Sequence, residues 1–295
     1  MNIGEKIRSL RVAKLMTQSE LAGNQITRNM LSSIENGNAQ PSLSTIQYIA
    51  KALNVPVGFL LAEEGDEIVY QKMNGLSNIK RAYRAEDWMG CRSLCLLSCP
   101  EPDDEIRLIL ANCDLGIAKA AFWQGKVRYA CRFFDEALMY ASETLYPAIH
   151  IRAEAAVYFR YMWGLSPTLT SDVLDEDQTG DLICRNDFAE YQNALEALES
   201  GGEIDVAAYG ERFSESHFFK EHLGVRCLMR DGAYGEAKER LLRLLQEDSN
   251  PLNEIELYAI LSDLEVCCRE IEDYKGAYRY SNERVELLEQ LLKDN

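Results

Sequence analysis

The sequence has no run of 18 apolar residues, and its opening, MNIGEKIRSLRVAK, is dotted with charges and offers no apolar stretch. A membrane helix needs about 20 apolar residues and a secretory leader needs an apolar centre, so neither insertion nor secretion is expected and the protein is placed in the cytoplasm. Histidine is scarce: only His150, His217 and His222 occur, with no HExxH, no Gly-rich phosphate loop and no nucleophile elbow. Zinc hydrolysis, phosphoryl transfer and acyl-enzyme chemistry therefore lack their usual residues, and neither an enzyme nor a cofactor is expected. CxxC pairs are missing too. Nine cysteines, an odd number in a long chain without a leader, read as reduced thiols rather than a disulfide framework. Cys91, Cys95 and Cys99 recur every fourth residue and would share a helical face, but buried packing is the commoner use of free cysteine, so no metal site is expected. His217 and His222, five residues apart, are poorly spaced to share a ligand, and read as surface or core histidines.

What is present is enough for two folding units: 295 residues, 47% hydrophobic and 27% charged, a globular composition. The net charge of -17 is divided unevenly. Residues 1–62 hold six Lys and Arg against three Glu, a net of +3, which leaves -20 for residues 63–295. Such asymmetry suits a small nucleic-acid module ahead of an acidic body that phosphates would repel.

Ile3, Ile7 and Leu10 recur at helical spacing, and Thr17 to Glu20 is a capping box that opens a second helix. A third helix is expected from Thr27, with Leu31 and Ile34 inward and a left-handed stop at Asn36-Gly37. Pro41-Ser42 opens a fourth, burying Leu43, Ile46, Ile49, Ala50 and Leu53 and stopping at Asn54; a short fifth returns Val57, Leu60 and Leu61 to the core. The sign of the charge changes at residues 63–67. The expected division is thus a small basic helical domain at 1–62, a linker or connecting helix at 63–84, and a larger acidic helical domain at 85–295.

Beyond the boundary nearly everything reads as helix, so the fold class is all-α. Gly125 is followed five residues later by Ala130, Gly232 by Ala237, Glu272 by Ala277 and Glu86 by Cys91. A turn residue followed at a fixed offset by a small residue, 39 residues apart in the first pair and 40 in the last, predicts stacked helical hairpins, a solenoid. Residues 166–183, with a proline, a glycine and five acids, interrupt the pattern as an irregular connection.

The order TQSELA, ITRNMLSSIENG, PSLSTIQYIAKALNV resembles the Cro/repressor-type (XRE) helix-turn-helix over residues 3–61. That resemblance implies a five-helix, lambda-repressor-like domain whose third helix enters the major groove of double-stranded DNA. Arg28, Asn29, Ser32 and Ser33 would then face base edges, Arg28 suiting guanine and Asn29 adenine. Gln18, Asn36, Asn38, Gln40 and Ser42 would position the phosphates. The resemblance also implies a structural pair between Arg11 and Glu35, which accounts for an acid on a helix that approaches phosphate. Between Leu21 and Ile26 the turn is one residue shorter than the commonest spacing of that family. Met30 fits either a thymine methyl or the gap beside the second helix.

The hairpins are similar to tetratricopeptide repeats, and the combination resembles the RNPP group of bacterial regulators (Rgg- and PlcR-like). That resemblance implies a homodimer on a palindromic operator, controlled by a small signalling peptide in the repeats. Asn112 and Asn193 lie on helices that precede the repeat turns, which usually line the ligand groove, and are the candidates to meet a peptide backbone. The acidic body suits a basic or neutral ligand. The rival reading is a repeat scaffold that sequesters a protein partner, with DNA binding auxiliary.

Overall fold

The structure is a computed structural model that describes residues 2–62, 66–174, 184–202, 204–206, 217–247 and 250–293. Every regular element among them is a helix. The chain divides into two compact units, residues 1–85 with 93–101, and residues 86–92 with 102–295.

The first unit begins with five short helices: α1 (Ile3–Ala13), α2 (Gln18–Ala22), α3 (Arg28–Glu35), α4 (Leu43–Ala52) and α5 (Val57–Leu61). Their starts follow from capping chemistry. Asn2 with Glu5 and Thr17 with Glu20 form reciprocal capping boxes, and the side chains of Thr27 and Ser42 accept from the backbone N–H three residues on. Their ends follow from left-handed residues, Gly37 after α3 and Asn54 after α4. Ile7, Leu21, Leu31, Ile34, Ile49, Leu53 and Leu60 make the sealed core. Two residues expected inside are not: Leu43 is 60% exposed and Leu61 51%. Leu43 sits in the first turn of α4, before the buried stripe of Thr45, Ile46 and Ile49 begins, and Leu61 is the last residue of α5. The long α6 (Asp66–Arg84) follows; Tyr70 meets Phe59 edge to face at 6.2 Å, which ties α6 to α5. The expected boundary at residues 63–67 lies partly outside the described residues.

In the second unit, α7 (Trp88–Ser98) contributes its first turn, followed by α8 (Asp104–Trp123), α9 (Val127–Glu143), α10 (Ile149–Leu165), α11 (Asp187–Glu199), α12 (His217–Arg230), α13 (Tyr234–Leu245), α14 (Glu254–Glu270) and α15 (Tyr274–Leu291). The pairs α8/α9, α12/α13 and α14/α15 are helical hairpins joined by tight turns. The expected repeat frame is visible in the backbone: Glu86, Gly125, Gly232 and Glu272 all have positive φ, between 55° and 77°. Five residues on, Cys91, Ala130 and Ala237 are fully buried, and Ala277 is partly buried. The interruption at residues 166–174 contains no helix, and 175–183 lie outside the described residues. Within this unit α8 also touches α14, and Arg128 Nε of α9 donates to the Leu292 carbonyl at 2.5 Å, so the first hairpin contacts the last.

Candidate nucleic-acid interface and ligand cavity

The placement of α3 rests on one buried carboxylate. Glu35, at the last turn of α3, is 4% exposed. It accepts from Arg11 Nε at 2.6 Å and Arg11 Nη2 at 3.0 Å, while Arg11 Nη1 donates to the Met16 carbonyl at 2.9 Å. Gln18 Nε2 donates to the second Glu35 oxygen at 2.8 Å. Burial alone would raise this carboxyl, but the hydrogen bonds from Arg11 and Gln18 and the charges of Arg11 and Arg8 hold it below its ordinary value. Helices α1, α2 and α3 are thus tied at one point by charge-assisted bonds. Glycine at position 4 lets α1 approach α3, since a Cβ there would fall 2.2 Å from the Ile34 carbonyl oxygen.

The turn between α2 and α3 needs Gly23 on two counts. Its φ is +50°, and a Cβ would stand 2.4 Å from the Tyr48 hydroxyl, which donates to the Ala22 carbonyl at 3.1 Å. The short turn still ends in a regular start: Thr27 Oγ1 accepts from Met30 N–H at 3.1 Å, and α3 begins at Arg28. Arg28 and Asn29 are exposed on the first turn, opposite Leu31 and Ile34. Ser32 and Ser33 are half-buried, and Met30 is 39% exposed rather than enclosed.

Asn36, Asn38, Gln40 and Ser42 are all exposed along the segment that leaves α3 and enters α4. Asn36 Nδ2 reaches Ser32 Oγ at 3.5 Å, and Ser42 caps α4 while sharing hydroxyl contacts with Ser44 and Thr45. Gln18 is half-buried, its amide nitrogen engaged by Glu35. The structure therefore brings Arg11, Gln18 and Glu35 together and leaves Arg28, Asn29 and the Asn36–Ser42 segment facing solvent.

In the second unit, a cavity of about 470 Å³ opens among α8, α10, α11, α12 and α14. Its lining includes Trp123 of α8, Tyr158 of α10, Phe188 of α11 and Phe219 of α12, with ring centroids of 5.0 Å for Trp123–Phe188 and 6.0 Å for Trp123–Phe219. Charged groups rim it: Lys119, Glu154, Asp187 and Glu256. Asn112 and Asn193 are on two of these helices but not in this lining. Asn112 Nδ2 donates to its own helix at Leu108 O, 2.8 Å, and its Oδ1 lies 3.3 Å from His150 Nε2; Asn193 is exposed. The sequence reading missed the aromatic residues, whose signal was a pair or single ring near the end or start of each such helix: 122/123, 158/161, 188/191 and 218/219.

His222 is buried in a polar chain. The Tyr191 hydroxyl is 2.8 Å from His222 Nδ1, His222 Nε2 is 3.1 Å from Asp263 Oδ2, and Arg226 Nη1 donates to Asp263 Oδ1 at 2.8 Å. Burial would raise the Asp263 carboxyl, but His222 and Arg226 outweigh it and hold it below its ordinary value. Cys91, Cys95 and Cys99 are buried, and among the described residues no cluster of His, Cys, Asp and Glu has the arrangement of a metal site. No described helix is long and apolar enough to cross a membrane.

Residues 7–60 match the helix-turn-helix family. The chain is similar to the immunity repressor protein of Bacillus phage phi105, 35% identical over 65 residues, which are 22% of this chain and 45% of that protein. It is also similar to the competence pilus inhibition repressor of Acinetobacter baylyi, 41% identical over 69 residues, 22% of this chain and 63% of that one. The match thus spans about half the length of these curated relatives. A crystal structure of Bacillus thuringiensis PlcR with the peptide PapR7 and DNA aligns with 99% of both chains at 16% identity, with a TM-score of 0.22.

Proposed function

We propose that this protein is a sequence-specific, DNA-binding transcription regulator of the cytoplasm, not an enzyme, that acts as a dimer on a palindromic operator and is controlled by a ligand in its repeat unit. The observation that carries the reading is the geometry of α3. Its C-terminal end is locked by Arg11, Glu35 and Gln18, while Arg28 and Asn29 stand free at its exposed N-terminal turn. A helix so held presents the same two side chains to a major groove each time, and either side chain can bond two acceptor or donor atoms of one base. The positive balance of residues 1–62 supplies phosphate attraction that the acidic remainder lacks. The Tyr191–His222–Asp263 chain does not argue for catalysis, since His222 is 3% exposed.

Selection of sites from a random duplex library by the full-length protein tests this reading. The expected product is an inverted repeat with half-sites about one turn, roughly 34 Å, apart. Arg28→Ala is expected to relax preference at one position of each half-site by about 1 to 3 kcal/mol of discrimination. Enrichment of no motif, or of one that Arg28→Ala leaves unchanged, refutes the assignment.

A further inference from the structure

The cavity at Trp123 is lined by three carboxylates and, among the described residues, by no unpaired cation, and this fixes the sign of what it holds. Its one lysine is already used: Lys119 Nζ donates to Glu154 Oε1 at 2.5 Å, and Asn186 Nδ2 donates to the same oxygen at 2.9 Å. Two helices start at its edge, and helix starts ordinarily attract anions. Both starts are closed by their own side chains. Asn186 Oδ1 accepts from Ala189 N–H at 2.7 Å; Asn253 Oδ1 accepts from Ile255 and Glu256 N–H, and Glu256 Oε2 accepts from Asn253 N–H at 3.1 Å. Among the described residues, Glu154 Oε2, Glu256 Oε1 and the Asp187 carboxylate take no hydrogen bond, so three carboxylates face a cavity whose only cation is spent. Burial raises the Glu256 carboxyl, which a neighbouring cation would relieve. The remaining wall is aromatic, and ring faces favour cations and apolar stems but not carboxylates.

We propose that this cavity binds a primary ammonium group on an apolar stem, the stem against Trp123, Phe188 and Phe219 and the charge between Glu154, Asp187 and Glu256. The proposal rests on the reading that the repeat unit carries the effector site, and names the chemistry of that effector. A lysine side chain or free N-terminus of a short apolar peptide supplies the group, and so does a polyamine.

Calorimetric titration of the full-length protein, without DNA, uses n-hexylammonium and its anionic counterpart hexanoate. Hexylammonium is expected to bind at least about tenfold tighter. Asp187→Asn and Glu256→Gln are each expected to shrink that preference, and neither removes a capping bond, because glutamine still reaches the Asn253 N–H. Unchanged circular-dichroism melting shows that they fold. Equal or tighter binding of hexanoate, or an ammonium affinity indifferent to both substitutions, overturns the proposal. Displacement of hexylammonium by an N-acetylated, lysine-bearing tetrapeptide, by a lysine-free apolar tetrapeptide with a free N-terminus or by spermidine identifies the source, and displacement by none of them overturns it. Ammonium binding that leaves operator affinity unchanged breaks the regulatory reading alone, and the cavity's chemistry stands.

Discussion

Each unit buries an acid beside an arginine, and the two acids behave oppositely. Glu35 in the first unit has both oxygens engaged, one by Arg11 Nε and the other by Arg11 Nη2 and Gln18, and its pKa is lowered. Asp114 in the second unit is fully buried in α8 and receives one bond, from Arg92 Nε at 2.7 Å. Arg92 also pairs with Glu136, whose negative charge adds to the cost. Burial, only partly offset by Arg92, pushes the Asp114 carboxyl up to about 7. The two sites differ in how many donors meet the carboxylate and in depth, Asp114 lying further from solvent than Glu35. A buried pair stabilises only when its remaining lone pairs are satisfied. Glu35 meets that condition at the point where α3 must be held still, and Asp114 does not.

The largest break in this contrast is expected from Arg11→Ala, which strands Glu35 with one amide donor. Removing one partner of a buried pair costs about 3 to 5 kcal/mol. All three tryptophans, Trp88, Trp123 and Trp163, belong to the second unit, so fluorescence is blind to this loss. Hydrogen exchange of residues 3–61, followed by mass spectrometry, reads it: protection there should collapse while tryptophan-monitored urea unfolding stays put. A matching drop in the fluorescence midpoint would count against a network confined to α1–α3.

Titration gives the next largest effect, with opposite signs at the two sites. Asp114 holds its proton to higher pH when folded than when unfolded, so its contribution to stability is fully present below pH 4 and is lost as pH rises through about 7. Glu35, lowered, contributes above its unfolded pKa and loses that contribution as pH falls through its folded pKa. For Asp114 the loss between pH 5 and pH 8 amounts to roughly 2 to 3 kcal/mol. Asp114→Asn, followed by tryptophan fluorescence in urea, should remove that slope and leave the variant the more stable form at pH 8. A variant less stable than the parent at pH 8 would mean that the Arg92 bond outweighs burial.

The sequence made the first unit legible almost to the residue, because its signals are local. Capping boxes, the Asn36-Gly37 stop and the spacing of Ile7, Leu21, Leu31 and Ile34 each lie within a turn or two of what they specify. The repeat frame was legible for the same reason: a left-handed residue and a small residue five positions later are one local pattern. The cavity was not. Glu154, Asp187 and Glu256 come from α10, α11 and α14, and no local pattern says that they line one cavity or that Lys119 is already paired. Asp114 pairs with Arg92 of another helix, a partner that no local pattern names. Gln18 shows the same limit in the first unit. Its place at the start of α2 suggested phosphate contact, and only the fold shows its amide closing the Glu35 site.

Gln18→Ala sharpens that last point, since it removes one donor from Glu35 but keeps Arg11. A loss of about 1 to 2 kcal/mol is expected in the stability of the first unit, the range for a hydrogen bond to a charged group. Binding to all DNA sequences should weaken alike, because the position of α3 is disturbed and no base contact is removed. A change in base preference, read by the same library selection, would instead make Gln18 a reader of sequence.

The smallest effect concerns the turns of the second unit, where two glycines and two glutamates share one backbone conformation. A left-handed residue with a side chain costs about 1 kcal/mol or somewhat more, and glycine does not incur that strain. At Gly232, φ is +77° and an added Cβ would meet nothing within 4 Å, so Gly232→Ala isolates the backbone cost. It should lower stability by about 1 kcal/mol in tryptophan-monitored urea unfolding. At Gly125 the same Cβ would also press on Glu254 at 3.0 Å, so Gly125→Ala should lose more. Glu272→Gly, at φ +62°, runs the test backwards and should gain about half a kcal/mol, because relief of strain is partly offset by a freer unfolded chain. If Gly232→Ala is neutral and Glu272→Gly gains nothing, the shared φ at these turns is a by-product of hairpin packing, and the small residues at Cys91, Ala130 and Ala237 alone set the repeat frame.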